Sequence, residues 1–88
     1  MTNEADPTVV VYGSTWCGFT QHILQQLKAL EVSYRFVDID ENPDAMQQIT
    51  DWNQGRLVRP TIDISGVILF NPDPLTLQVE LRKHSFLE

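Results

Sequence analysis

Apolar positions run unbroken from Val9 to Tyr12, with Thr8 leading in. Thr8-Val9-Val10-Val11-Tyr12 is β-branched and aromatic, which predicts a strand. An apolar run without alternation suits a strand covered on both faces, as in a parallel sheet between helices. Gly13-Ser14-Thr15 reads as the turn, with Ser14 or Thr15 placed to cap a helix. From Cys17 to about Leu30, Ile23, Leu24, Leu27 and Leu30 recur at helical spacing, leaving Gln21, Gln25, Gln26 and Lys28 for water. Ser33 to Ile39 alternates, with Tyr34, Phe36 and Asp38 on one face and Arg35, Val37 and Ile39 on the other, which predicts a second strand. Strand, helix, strand at this spacing is a βαβ unit, with parallel strands and a right-handed crossover.

Asn42-Pro43 opens a second helix: Asn caps, and Pro at the first helical position has no N–H to leave unpaired. Asp44 adds a favourable charge to its first turn. Met46, Ile49 and Trp52 or Asn53 follow at helical spacing, Trp52 as a packing residue, and Gly55 is the stop. Arg56 to Pro60 is a loop into Thr61-Ile62-Asp63-Ile64. Ser65-Gly66 is a tight turn, and Val67-Ile68-Leu69-Phe70 is the return strand of a hairpin. Asp73-Pro74 repeats the cap-plus-proline signal. The last segment fits two periods. Leu75, Leu77, Val79 and Leu81 alternate like a strand; Leu77 and Leu81, flanked by Leu75 or Phe86, also make a helical face. The cap, the charged Glu80 to Lys83 stretch and the need to cover the sheet favour the helix. The summed pattern is β-α-β-α-β-β-α, an α/β fold with three helices and a four-stranded mixed sheet.

Composition narrows the function. At 88 residues a single domain spanning residues 1–88 is expected. The lone cysteine rules out an intramolecular disulfide and points to a reducing compartment. The first seven residues are polar and acidic, unlike a signal peptide, and no run is long enough for a membrane span, so a cytoplasmic protein without a membrane partner is expected. The net charge of −6 disfavours nucleic acid, which needs clustered Lys and Arg. One Cys and two scattered His residues have no metal-ligand spacing. His22 falls on another helical face from Cys17 and is read as a surface residue. His84 lies in a C-terminal turn, where positive charge suits the helix dipole. No Gly-rich phosphate loop is present.

Chemistry concentrates where the first strand hands over to the first helix, at Trp16-Cys17-Gly18-Phe19-Thr20. The first turn of a helix carries N–H groups without intrahelical partners and a partial positive charge. Both favour the thiolate, which is the nucleophile of disulfide exchange. The alternative is that Cys17 is a small buried hydrophobe.

A strand, then W-C-x-x-C/S/T at a helix start, then a proline opening a hairpin, resembles the thioredoxin fold. Size and short lead-in are similar to a glutaredoxin. Cys17-Gly18-Phe19-Thr20 resembles a monothiol glutaredoxin site, and the run Asn53, Gly55, Pro60-Thr61-Ile62, Gly66, Leu69, Asn71-Pro72 resembles the mycoredoxin-like branch. The resemblance, covering about Val9 to Leu81, implies a nucleophile at Cys17, a cis-proline at Pro60 beside it, and a hydroxyl at Thr20 where dithiol members have a second Cys. It implies a thiol–disulfide oxidoreductase that reduces mixed disulfides between proteins and a small thiol, glutathione or mycothiol, and works as a monomer. Trp16, Gly18, Phe19, Arg59 and Pro60 would surround the sulfur. Glutathione-binding relatives commonly carry a Lys upstream of the Cys and a Gly-Gly pair before an acidic residue. Here Tyr12-Gly13-Ser14-Thr15 has no Lys, and Leu69-Phe70-Asn71-Pro72-Asp73 keeps only the acid, Asp73. The usual Thr-Val before the proline is Val58-Arg59. A guanidinium there would favour the thiolate and pair with a substrate carboxylate; otherwise it is splayed into solvent. Two rivals share the motif. One is a [2Fe–2S] carrier using Cys17 and a bound thiol; the other is a binding module that kept the fold without turnover.

Overall fold

The computed structural model describes residues 9–87, so Thr8 and the polar lead of residues 1–7 lie outside the described residues. The elements are β1 Val9–Gly13, α1 Gly18–Ala29, β2 Arg35–Asp38, α2 Pro43–Trp52, β3 Thr61–Ile64, β4 Val67–Phe70 and α3 Pro74–Lys83. This is the expected order, and the ambiguous last segment is helical. The sheet order is β2-β1-β3-β4. β1 runs parallel to β2, with Val10 opposite Arg35 and Gly13 opposite Asp38. It runs antiparallel to β3, with Val9 opposite Ile64 and Val11 opposite Ile62, and β3 is antiparallel to β4.

That register puts Val9, Val11, Ile62 and Ile64 on one face. They form a core with Ile23 and Leu27 of α1 and Leu77 and Leu81 of α3. On the other face the Tyr12 ring meets Trp52 of α2 edge-on, centroids 5.6 Å apart at 74°. Trp52 is therefore a packing residue, as its spacing suggests. Each fully buried Leu or Ile contributes roughly 1.5–3 kcal/mol by leaving water. Leu75 stays exposed, so the α3 stripe is Leu77 and Leu81 alone.

The helix ends differ from expectation in instructive ways. All three close with a left-handed residue that is not glycine: Glu31 after α1, Gln54 after α2 and Ser85 after α3. In each the next N–H reaches back to a carbonyl five residues earlier: Val32 to Leu27, Gly55 to Thr50 and Phe86 to Leu81. The stop expected at Gly55 thus falls one residue earlier, with Gln54 taking the first left-handed position and Gly55 following it. Neither Ser14 nor Thr15 caps α1; the N-cap is Cys17. Asn42 holds the N-cap place of α2, but its side chain donates to the Asp38 carbonyl instead of capping. Gln26, expected in water, is half-buried and donates to the Pro74 carbonyl of α3. At the hairpin, Ser65 and Gly66 have φ of 51° and 96°. Positive φ at both central residues is the turn that matches strand twist.

Candidate active site

β1 runs one residue further than its sequence suggests, through Gly13. The Ser14 carbonyl then accepts from the Cys17 N–H at 3.1 Å, and the chain turns into α1. Cys17 has extended backbone (φ −87°, ψ 122°) and is half-buried, so it is not a buried hydrophobe. The next side chain inward is Thr20, with no exposed surface. Its hydroxyl oxygen accepts from the Ser14 N–H at 3.4 Å, which leaves its own proton free to point at the sulfur. Gly13 is required here: a β-carbon on it would lie 2.5 Å from the Thr20 Oγ1.

Arg59 is not splayed into solvent. Its Nε donates to the Ser14 Oγ at 2.7 Å, its Nη2 pairs with the Asp40 Oδ1 at 3.5 Å, and its guanidinium carbon stands 5.2 Å from the Trp16 ring centroid. The Asp40 Oδ2 accepts from the Trp16 indole N–H at 2.8 Å. That bond, partial desolvation opposing it, the Ser14 hydroxyl and Arg59 together hold the Asp40 carboxyl below its ordinary range. Asp40 is itself fixed, because its N–H donates to the Asp38 side chain at 3.0 Å while the Asp38 carbonyl takes the Glu41 N–H.

The Arg59–Pro60 peptide is cis. Its loop is anchored on both sides. The Thr61 hydroxyl donates to the Val58 carbonyl at 2.9 Å, and the Asn71 N–H donates to the Pro60 carbonyl at 2.7 Å. Two large apolar side chains flank the sulfur in water, Trp16 at 67 % exposure and Phe19 at 65 %. Phe19, Gly18 and the surface residue His22 line a shallow cleft of about 440 Å³. A side chain on Gly18 would meet nothing, so glycine there keeps the approach open. Asp73 is a helix cap: its carboxylate accepts from the Thr76 N–H at 2.7 Å, which holds it below the usual carboxylate range.

For the Cys17 thiol, partial burial pushes upward. The Thr20 N–H, the Thr20 hydroxyl, the Phe19 N–H and the Arg59 charge outweigh it, and the thiol titrates below its ordinary value. Thr20 therefore contributes more than Arg59. Thr20→Val keeps the shape and loses the hydroxyl, whereas Arg59→Ala loses the charge. Both should move the midpoint of Cys17 alkylation against pH upward, Thr20→Val further. An Arg59→Ala curve displaced more than the Thr20→Val curve would reverse this ranking.

Among the described residues no group of three or more His, Cys, Asp or Glu side chains is arranged to hold a metal ion. No described helix is long and apolar enough to cross a membrane. Two residues escape a reading of motifs. Ser14 looks like a cap and instead receives Arg59. Asp40 lies 24 residues from Trp16 with nothing in its local pattern to mark it. The signal that could have found it is topological: parallel β1 and β2 end at the same edge, and the carboxyl ends of such strands are where sites assemble.

The glutaredoxin family model matches residues 9–69. A provisionally named glutaredoxin of Mycobacterium tuberculosis is 29 % identical over 76 residues, 85 % of this chain and 90 % of that one. Mycoredoxin 1 of Corynebacterium glutamicum is 29 % identical over 65 residues, 73 % of this chain and 80 % of that one. Among solved structures, the holo form of glutaredoxin C1 from Populus tremula × tremuloides superposes with a TM-score of 0.71 at 27 % identity, covering 90 % of this chain and 87 % of that one. The match runs from the first residue of β1, through the sulfur and the cis-proline, into β4, and on that extent the chain belongs to the glutaredoxin family.

Proposed function

We propose that this protein is a mycoredoxin-like, monothiol thiol–disulfide oxidoreductase that reduces mixed disulfides between proteins and a small thiol through Cys17. The observation that carries the reading is the half-buried Cys17 at the head of α1, its thiol lowered by the Thr20 N–H and hydroxyl, the Phe19 N–H and Arg59 against the opposing effect of burial. Family membership supports the reaction class.

In the first step the Cys17 thiolate attacks the small-thiol sulfur of the mixed disulfide. A new S–S bond forms between Cys17 and the small thiol, and the target protein leaves as thiolate. In the second step another small thiol, as thiolate, attacks that adduct. It departs as the small-thiol disulfide, one half from the substrate and one half from the incoming thiol, and returns Cys17 reduced, so the incoming small thiol is the reductant and the disulfide bond passes from the target protein to the small thiol. The N–H groups of Thr20 and Phe19 stabilise the anion at the start and end of the cycle, as fixed dipoles do where charge is needed. The Thr20 hydroxyl cannot displace a disulfide, which makes the route monothiol. Trp16, Gly18, Phe19 and the Arg59–Pro60 loop border the approach to the sulfur.

The test is turnover of one model protein carrying different small thiols on its cysteine, glutathione and mycothiol among them. Turnover with one of them establishes the activity and names its thiol. No turnover with any, from folded protein with a reactive Cys17, would overturn the reading; a coloured dimer on anaerobic reconstitution would then favour the [2Fe–2S] carrier.

A further inference from the structure

The charged side chain that acts on the Cys17 thiol is Arg59. In most settings a guanidinium beside a reactive sulfur would receive the carboxylate of an anionic substrate, because its planar donors match a carboxylate. Here two of its three nitrogens are already engaged. Nε goes to the Ser14 Oγ, and Nη2 goes to the Asp40 Oδ1. The Trp16 ring lies against the guanidinium, and its N–H ties the indole to the other oxygen of Asp40. Asp40 in turn is held by the Asp38 side chain. These contacts are made from within the chain, and the resident carboxylate already pairs with the guanidinium an incoming one would seek.

We infer that Asp40 is a specificity-determining residue, occupying Arg59 so that the site selects small thiols with no carboxylate near the sulfur. The inference rests on Cys17 being the reacting sulfur. Three observations support it. The surface around the sulfur is apolar and aromatic, from Trp16 and Phe19. The chain carries a net charge of −6, which opposes a second anion at the same place. The sequence has no Lys among Tyr12-Gly13-Ser14-Thr15 to offer a replacement cation. A substrate carboxylate would have to displace Asp40 or share Arg59 with it, whereas a neutral or cationic thiol meets no such competition. Asp40 acts through Arg59 and is a positioning residue; it does not touch the reacting atoms.

The test compares two alkylating reagents of nearly equal size, anionic iodoacetate and neutral iodoacetamide, on reduced full-length protein. Each forms a thioether at Cys17 and releases iodide. The ratio of their rates is independent of the thiolate fraction, so a shift in thiol titration cancels. Asp40→Asn keeps an oxygen for the Trp16 N–H and removes the charge. It should raise the iodoacetate-to-iodoacetamide ratio about two- to fivefold, the size expected for freeing one partly screened unit charge at close range. The gain should vanish in Asp40→Asn/Arg59→Gln. An unchanged ratio in Asp40→Asn overturns the inference. So does a gain that survives loss of Arg59, because Asp40 would then act directly on the reagent. The alkylation arm needs no turnover, so its failure is distinct from failure of the oxidoreductase reading. In a second arm, mixed disulfides of 3-mercaptopropionate and 2-mercaptoethanol should show the same change of ratio in Asp40→Asn.

Discussion

Cys17→Ser should abolish turnover and, at the same time, make the protein more stable. Cys17 is the N-cap of α1 and, as a thiol, makes no capping hydrogen bond. Its extended backbone is the conformation an N-cap residue needs, and Ser is among the best residues there because its short oxygen accepts from the N–H groups two and three residues on. In α1 those are Phe19 and Thr20, the two groups that favour the thiolate. The substitution therefore exchanges a poor cap for a good one. With Cys17 held as the thiol, at a pH below its titration, a gain of about 0.5–1 kcal/mol is expected, or roughly 2–8 °C in Tm for a domain of this size. The measurements are a thermal melt and the mixed-disulfide assay on the same preparation. Residual turnover above the uncatalysed rate would remove Cys17 from the mechanism. A lower Tm would show that the sulfur contributes packing that Ser cannot replace. The expected pair of results is the trade between stability and activity often found where a reactive group occupies a structural position.

Gly13→Ala should be the most damaging single methyl group at the site. Its β-carbon would stand 2.5 Å from the Thr20 Oγ1 and 2.6 Å from the Cγ2. Thr20 is fully buried, and its hydroxyl is engaged by the Ser14 N–H, so it has no empty space to enter. Overpacking of this kind costs about 1–3 kcal/mol, or on the order of 10 °C in Tm. The displaced hydroxyl would also leave the thiolate, and the alkylation midpoint of Cys17 should rise. Gly13→Ala/Thr20→Ala separates the two effects. Removing Oγ1 and Cγ2 leaves a contact of 3.1 Å to the Thr20 Cβ, tight but tolerable. The double variant should recover much of the lost stability and none of the lost reactivity. If it melts no higher than Gly13→Ala, the clash is not the cause.

These two sites show why parts of the molecule could be read from the chain and others could not. The βαβ unit and the hairpin follow from apolar period and turn chemistry, which are local. Val9 to Tyr12, the Ile23–Leu27 stripe and Ser65-Gly66 therefore land where the pattern puts them. Cys17 and Pro60 are legible through their place relative to strands. Pro74 and Asp73 signal α3 when the alternation of Leu75, Leu77 and Val79 argues for a strand, and the helix wins because Leu77 and Leu81 have α1, β1 and β3 to pack against. Caps are harder. Ser14 and Thr15 are better capping residues than Cys, but the chain enters the helix three residues after Ser14, whose side chain serves Arg59. Asp40 is hardest, because its importance is decided by which strand ends meet. The close approach of Gly13 to Thr20 is likewise visible only once β1 and α1 are packed.

The burial of a hydroxyl at Thr20 in a chain with a single cysteine has a kinetic consequence. A disulfide formed between Cys17 and a small thiol has no neighbour within the chain able to break it. It persists until a thiol arrives from outside, so its lifetime scales inversely with the concentration of free thiol around the protein. The fraction of molecules carrying such an adduct then tracks the balance of free and oxidised thiol in the surroundings. On the proposed reaction the protein would act as a gauge of that pool, with a response time set by the solution and not by the fold.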